Sequence, residues 1–404
     1  MNDTKVEIKK LSNELLDYWA TDPNGPVALH LKQRLLAVEG TDGEDQIIYP
    51  PTYADIGYNV DRLSDGTRVA LIDSVGSQAN RLEPAFKVNS GHGLDGLVPQ
   101  IEIVLRKEPC NECDECKKAK TPKVDKCKNP WKEKRSLFDL AHRAADAVVQ
   151  SSPTLLPEVE KAFAELRKTG NASRLCTIAP TSLVFGCWDS RGGSGEKRPR
   201  LVRAIIRAWD VDELKAASQF NSVWKALNEE QREGLKKALP KGKKLSEKGF
   251  NDAPAVGLGG VVVRGSIQRD VTINLVALRG LNGGDHTDAL RKYLLGLSIL
   301  AATSDIELFL REGCNLRYAD NADQWYSVPR RGDNEPIDLI SDEAREVARS
   351  YTESAYQAFH DDWASVDWPD GALQDDGTLE VEFDLKAAKD LLGKTTDDDV
   401  EAQS

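Results

Sequence analysis

The chain has 404 residues, 40% hydrophobic and 30% charged, with a formal net charge of −12 and seven cysteines. That length supports two or three domains, or one elaborated domain with insertions. No apolar run approaches the ~18 residues of a membrane span, and the amino end "MNDTKVEIKKLSNELLDYW" lacks the apolar stretch of a secretory signal. Both features predict a cytoplasmic protein with no membrane partner, whose reduced thiols are not a disulfide framework.

An amphipathic helix is predicted over 5–19, followed by the loop "TDPNGP", and residues 1–44 read as an N-terminal helical extension. "TRVALID" (67–73) alternates as a strand and runs into "SVGSQANRLE" (74–83), which reads as a helix. On that helix Val75, Ala79 and Leu82 form an apolar stripe. Ser74, Ser77, Gln78 and Arg81 form a second stripe of donors with no acid among them. Asp73, just before this helix, is placed to cap it. A strand is predicted within "LVPQIEIVLRK" (97–107), then a cysteine-rich insertion over 106–135.

Further along, helices are predicted at 136–150 and 157–168. "TSLVFGCWDS" (181–190) and "RLVRAIIRAWDV" (200–211) read as strands flanking a mobile loop at 190–199, with helical residues following to about 239. "GLGGVVVRGSIQRDVTINLVAL" is strand-rich, and its "GLGG" (257–260) suggests a turn or a close backbone approach. Strong helical spacing covers 287–302, and a further helix covers 341–360. The alternation of strands and helices, with no repeat of 20–50 residues, gives an α+β class. Residues 331–404 hold 21 acids and 6 bases, whereas residues 1–330 hold 45 acids and 48 bases. The terminal segment therefore reads as an acidic, helical and partly disordered stretch. Its functional alternative is a shield for basic surfaces elsewhere.

Two groups of residues carry chemistry. "CNECDECKKAKTPKVDKC" spaces Cys110, Cys113, Cys116 and Cys127 for four thiolates around one ion, and zinc suits these spacings better than an iron–sulfur cluster. A four-sulfur site leaves no position for water or substrate, so the ion would be structural. Residues 106–135 carry 11 bases and 6 acids, and Lys117, Lys118, Lys120 and Lys123 could face phosphates. The second group is basic. A strand over "RLVRAIIRAWDV" aligns Arg203, Arg207 and Trp209 on one face, a surface suited to tracking a nucleic-acid backbone. The alternative is pairing with Asp189, Asp210 or Asp212. Arg264 and Arg269, around Ser266 and Gln268, repeat the basic theme. The five histidines are scattered, and neither a phosphate-binding loop nor a dinucleotide fingerprint is present.

Taken together, "LIDSVGSQANRLE", "TSLVFGCWDS…RLVRAIIRAWDV" and "GLGGVVVRGSIQRDVTINLVALRGL" resemble the backbone subunit of the type I-G (formerly I-U) CRISPR effector complex. This is a RAMP-superfamily protein of the Cas-seven type. The similarity spans about 45–320 and includes the S-Q-A-N-R run from Ser77 through Asn80 to Arg81. It implies an RRM-like (ferredoxin-like) core over 45–330 with inserted finger and thumb elements, the 190–199 loop being the expected thumb tip. It implies stacked copies along CRISPR RNA, target DNA held through guide pairing, and assembly with a large subunit, a guide-processing subunit and a recruited helicase-nuclease. No RRM aromatic signature is legible, so base stacking on the sheet is not expected.

On this reading the chain is non-catalytic. Ser74, Ser77, Gln78, Asn80, Arg81, Arg203, Arg207, Arg264 and Arg269 would hold RNA by contacts blind to sequence. The alternatives are a metal-dependent nuclease using Asp73, Asp189 or Asp270 on target RNA or DNA, and a zinc-stabilised interaction module unrelated to nucleic acid.

Overall fold

In a computed structural model the described residues are 8–189, 196–197, 200–220, 223–240, 242–245, 253–320, 323–364 and 366–393. The chain is mixed α+β, organised around a nine-stranded antiparallel sheet. Its path runs Phe309–Arg311, Cys314–Tyr318, Ala28–Ala37, Ile267–Asn274, Val202–Trp209, Arg68–Asp73 and Val60–Arg62. Trp325–Val328 pairs with the first half of Ala28–Ala37 and with Glu335–Ile337.

Strand Ala28–Ala37 corrects the expected helical extension over 1–44, and it displaces "TRVALID" as the first strand. Its sequence "ALHLKQRLLA" alternates, so Leu29, Leu31, Gln33 and Leu35 are buried while Lys32 and Arg34 are exposed. Period two puts these sets on opposite faces. Ile267–Asn274 does the same, burying Ile267, Arg269, Val271 and Ile273. The N-terminal helix is confined to Asn13–Thr21, because the Ser12 side chain accepts from the Leu15 N–H and caps it there.

Behind the sheet lies Thr287–Thr303, buried from Leu294 to Thr303. It packs against Asp342–Ala364 where Gly296 meets Thr352; a Cβ at Gly296 would lie 2.1 Å from the Thr352 hydroxyl. Much of the acidic terminal segment is thereby folded into the body. Leu379–Glu382 continues it as a strand parallel to Ile101–Glu108, and residues 394–404 lie outside the described residues.

Three expectations fail for local reasons. Residues 136–150 are not one helix but the short turns Leu137–Asp139, Arg143–Ala145 and Ala147–Gln150. Arg143 stands at φ +54, which a continuous right-handed helix excludes. Residues 181–190 begin as the helical turn Thr181–Val184, set by Pro180 in helical conformation, before the short strand Trp188–Asp189. Residues 211–220 are a strand, not helix, because they pair along Ala253–Val263; the helix Glu229–Ala238 follows, boxed by Asn228 and Gln231. In that hairpin the "GLGG" run does mark a close backbone approach: a Cβ at Gly259 would lie 2.7 Å from the Lys215 carbonyl carbon, and Gly260 has φ +92. The 190–199 loop lies, apart from 196–197, outside the described residues.

Arg143 takes its unusual backbone to reach Glu83. Both side chains are buried, with Nε 2.6 Å from Oε2. Arg143 also donates to the Gly186 carbonyl at 3.1 Å and stands 5.3 Å above the Phe185 ring. Burial outweighs the arginine's charge and pushes the Glu83 carboxyl up to about 7. A raised acid favours the fold in its neutral form, so this contribution is complete below pH 4.5 and lost as pH rises through about 7. Thermal unfolding from pH 4.5 to 8 should therefore show a decline, about 3 kcal/mol from this group, that is absent from the Glu83→Gln variant. Parallel pH profiles for the two proteins would contradict it.

Candidate nucleic-acid interface and metal clamp

The helix Val75–Leu82 begins at Ser74, whose hydroxyl accepts from the Ser77 N–H at 3.2 Å. Asp73 is thus not the cap. Its carboxylate, 1% exposed, is instead the hub of the donor stripe. Ser77 Oγ donates to Oδ1 at 2.7 Å, Gln78 Nε2 to Oδ2 at 2.7 Å and Arg81 Nε to Oδ2 at 3.1 Å. Arg311 stands 3.6 Å from Oδ1 and Arg81 Nη2 donates to the Leu310 carbonyl. The row of donors that lacked an acid in the sequence has one: the residue immediately before the helix.

The network continues into the sheet. Arg269 is 2% exposed and donates to Gln78 Oε1 at 2.9 Å and to Gln33 Oε1 at 3.1 Å, while Gln33 donates to Asp323. Gln78 and Arg269 therefore lie inside the molecule and cannot reach an external phosphate in this arrangement. Arg81 and Ser77 are committed to Asp73. Asn80 is exposed, and its Oδ1 accepts from Arg143 at 3.4 Å. Arg264 is neutralised by Asp212 and stands 3.8 Å from Asp45.

The outer face of the sheet is different. The strand registers bring Tyr326, His30, Thr272 and Arg203 into one cross-strand row and Arg34, Gln268, Arg207 and Leu71 into another. Lys32 and Asp270 lie between them. Arg203 is exposed and Arg207 half-buried, and neither has a carboxylate partner among the described residues. Burial and the neighbouring Arg143 and Arg203 charges lower the Arg200 pKa, so positive charge gathers at this end of the strand. Arg200 is also tied by Nε to the Phe185 carbonyl at 2.8 Å. Of the two groups expected on "RLVRAIIRAWDV", Arg203 and Arg207 thus keep the shared outer face. His30 and Lys32 join them. Sequence reasoning missed Lys32 and His30, although the alternation of "ALHLKQRL" was the available signal.

The four expected metal ligands come together. Cys110, Cys113, Cys116 and Cys127 close the hairpin of Ile101–Glu108 and Trp131–Ser136, with their sulfurs within 4.8 Å of one another. Two thiolates 2.3 Å from one tetrahedral zinc stand about 3.8 Å apart, and Cys113 Sγ is 4.0 Å from Cys127 Sγ. The backbone N–H of Cys110 donates to Cys127 Sγ and that of Cys113 to Cys110 Sγ, both at 3.3 Å. The first of these lowers the Cys127 thiol pKa, while burial pushes Cys116 up to about 12. The donor set, spacing and N–H···S bonds fit a structural Zn²⁺ held by these four residues. Among the described residues this is the one cluster of three or more potential ligands.

Residues 29–213 match the sequence profile of the family described as CRISPR-associated protein GSU0053. This stretch is similar to a CRISPR-associated protein. It takes in the central strand, the Asp73 helix, the cysteine clamp and the Arg203–Arg207 strand. A solved chain described as "CRISPR RNA-guided surveillance complex, pre-nicking" is similar at 10% identity over 91% of this chain and 99% of that one. Its TM-score of 0.30 is too low to transfer a topology. No curated protein matches.

The clamp should carry about one zinc per chain by elemental analysis. Cys110→Ser with Cys113→Ser should abolish it, and chelation should lower the midpoint of thermal unfolding. Full metal content in the double variant would contradict the ligand assignment.

Proposed function

We propose that this chain is a non-catalytic backbone subunit of a type I CRISPR effector complex, of the I-G kind. On this reading its sheet and packed helices are an RRM-like (ferredoxin-like) core carrying inserted elements. Copies stack along CRISPR RNA and hold the guide by its sugar–phosphate spine while its bases pair with target DNA. A large subunit, a guide-processing subunit and a recruited helicase-nuclease complete the assembly. The observation that carries this reading is the outer sheet face, where Arg203 and Arg207 stand without acidic partners among the described residues, within the segment matched by the CRISPR-associated profile.

The chemistry suits the task. A guide-binding subunit meets every spacer sequence, so its contacts must fall on phosphate and sugar. Guanidinium and ammonium groups at the strand spacing provide such contacts, and the hydroxyl of Thr272 and the ring of His30, which hydrogen-bond each other at 3.1 Å, add neutral partners. Asp270 in the same face keeps the field moderate, which favours a strand that is held but can be threaded. Asp73, one of the three candidates of the nuclease alternative, has both oxygens engaged by the chain's own donors.

The purified complex should carry RNA, and the variant Arg203→Glu with Arg207→Glu should retain at most about a tenth of it, judged from extracted RNA per chain. Reversing two phosphate-facing charges should also flatten the salt dependence of binding. Unchanged RNA content in a folded double variant would overturn this face as the guide site. Mg²⁺-dependent cleavage of guide-complementary RNA, lost in Asp270→Ala, would overturn the non-catalytic reading.

A further inference from the structure

The metal clamp has a charge pattern that holding a metal does not explain. Residues 117–128, "KKAKTPKVDKCK", contain six lysines and one acid. Lower on the same hairpin the lysines are consumed: Lys107 pairs with Glu382, and Lys132 and Lys134 pair with Glu380. At the tip, Lys128 pairs with Glu115 at 2.8 Å. Lys117, Lys118, Lys120, Lys123 and Lys126 are exposed and have no carboxylate partner among the described residues. The acidic C-terminal strand therefore pairs with the stem lysines and leaves those of the tip free of it.

Two further features lie at that tip. A cavity of about 130 Å³ is lined by Glu115, Cys116, Ala119, Thr121, Lys123 and Lys126. Two ammonium groups and a hydroxyl border one small recess, and Glu115, its single acid, is held by Lys128. On the same hairpin, Trp131 stands opposite Glu108 at the start of the returning strand, and it is 51% exposed. The Arg106 guanidinium stands 5.6 Å from the ring centroid, bracing it. An exposed indole and a lysine-lined recess carried by one hairpin match what a single strand presents: flat bases and the phosphates that join them.

We propose that the clamp tip is a second nucleic-acid contact, in which Lys123 and Lys126 take a backbone phosphate and Trp131 stacks a base of the same single strand. This contact is separate from the outer sheet face and goes beyond the backbone reading. Metal holds the lip in shape; the lysines and the indole do the binding.

The test uses zinc-loaded full-length protein and a short fluorescein-labelled oligouridylate, with anisotropy read across a salt series. Lys123→Glu with Lys126→Glu should weaken binding at least tenfold and reduce the log–log salt slope by about 0.7, the release expected for one single-strand phosphate contact. Trp131→Ala should weaken binding about five- to hundredfold with the slope unchanged, and Trp131→Phe should restore most of the loss. A 5-bromouridine probe should crosslink to Trp131. Parent-like binding by both variants, with zinc content retained, would overturn the proposal. So would protection of Lys123 and Lys126 from acetylation by inorganic phosphate but not by the oligonucleotide, which would mark a free-anion site. Loss of RNA in the Arg203/Arg207 variant alone would sink the clamp contact and leave the backbone reading standing. Loss in the clamp variants alone would do the reverse.

Discussion

The architecture rests on one buried carboxylate. Asp73 closes a strand and precedes a helix, and at 1% exposure its oxygens need hydrogen-bond donors from the chain itself. Ser77, Gln78 and Arg81 meet that demand from successive turns of the helix, and Arg311 approaches from a distant strand. Gln78 then passes the network to Arg269 and Gln33 on the inner side of the sheet. Removing Asp73 would leave buried donors unpaired, which costs several kcal/mol. The network also decides which side of the sheet is available. Its inner face is closed by helices and crossed by internal hydrogen bonds, which leaves the outer face as the one open to external contacts.

How far the sequence was legible follows from the range of each signal. The helix over 287–303, the strand over 202–209 and the cysteine cluster were readable because their patterns are local: apolar spacing, alternation and metal-ligand spacing. The first strand was missed although "ALHLKQRL" alternates, because buried Gln33 breaks the apolar set; its reason for being inside is Arg269, far away in the chain. The donor stripe on the Asp73 helix was also visible. Its direction was not, since four donors on one line suit an internal carboxylate as well as an external phosphate. The acid that decides the matter lies at the strand end, off the helix where the stripe was drawn. Arg143 illustrates the same limit: its left-handed backbone answers to Glu83, sixty residues earlier.

Charge is distributed with the same economy. The net excess of acid is concentrated toward the C-terminus, but much of that segment is built into the body, through a helix against Thr287–Thr303 and a strand against the clamp hairpin. Glu380 and Glu382 pair with the stem lysines, and among the described residues the cations left without a carboxylate include those of the Arg203–Arg207 strand and of the clamp tip. An overall acidic protein can thus bind a polyanion, because screening in physiological salt limits each charge's reach to about 8 Å. What matters is the field at those two surfaces, and both lie within the span matched by the CRISPR-associated profile.

The most direct measurement is a density map of the assembled particle with its guide, resolved well enough to place side chains. The account predicts RNA phosphates against Arg203 and Arg207 on the outer face of the sheet, with Ser77, Gln78 and Arg81 still folded onto Asp73. A guide running along the Val75–Leu82 helix, with Arg81 turned out onto phosphate and the outer sheet face bare, would contradict it.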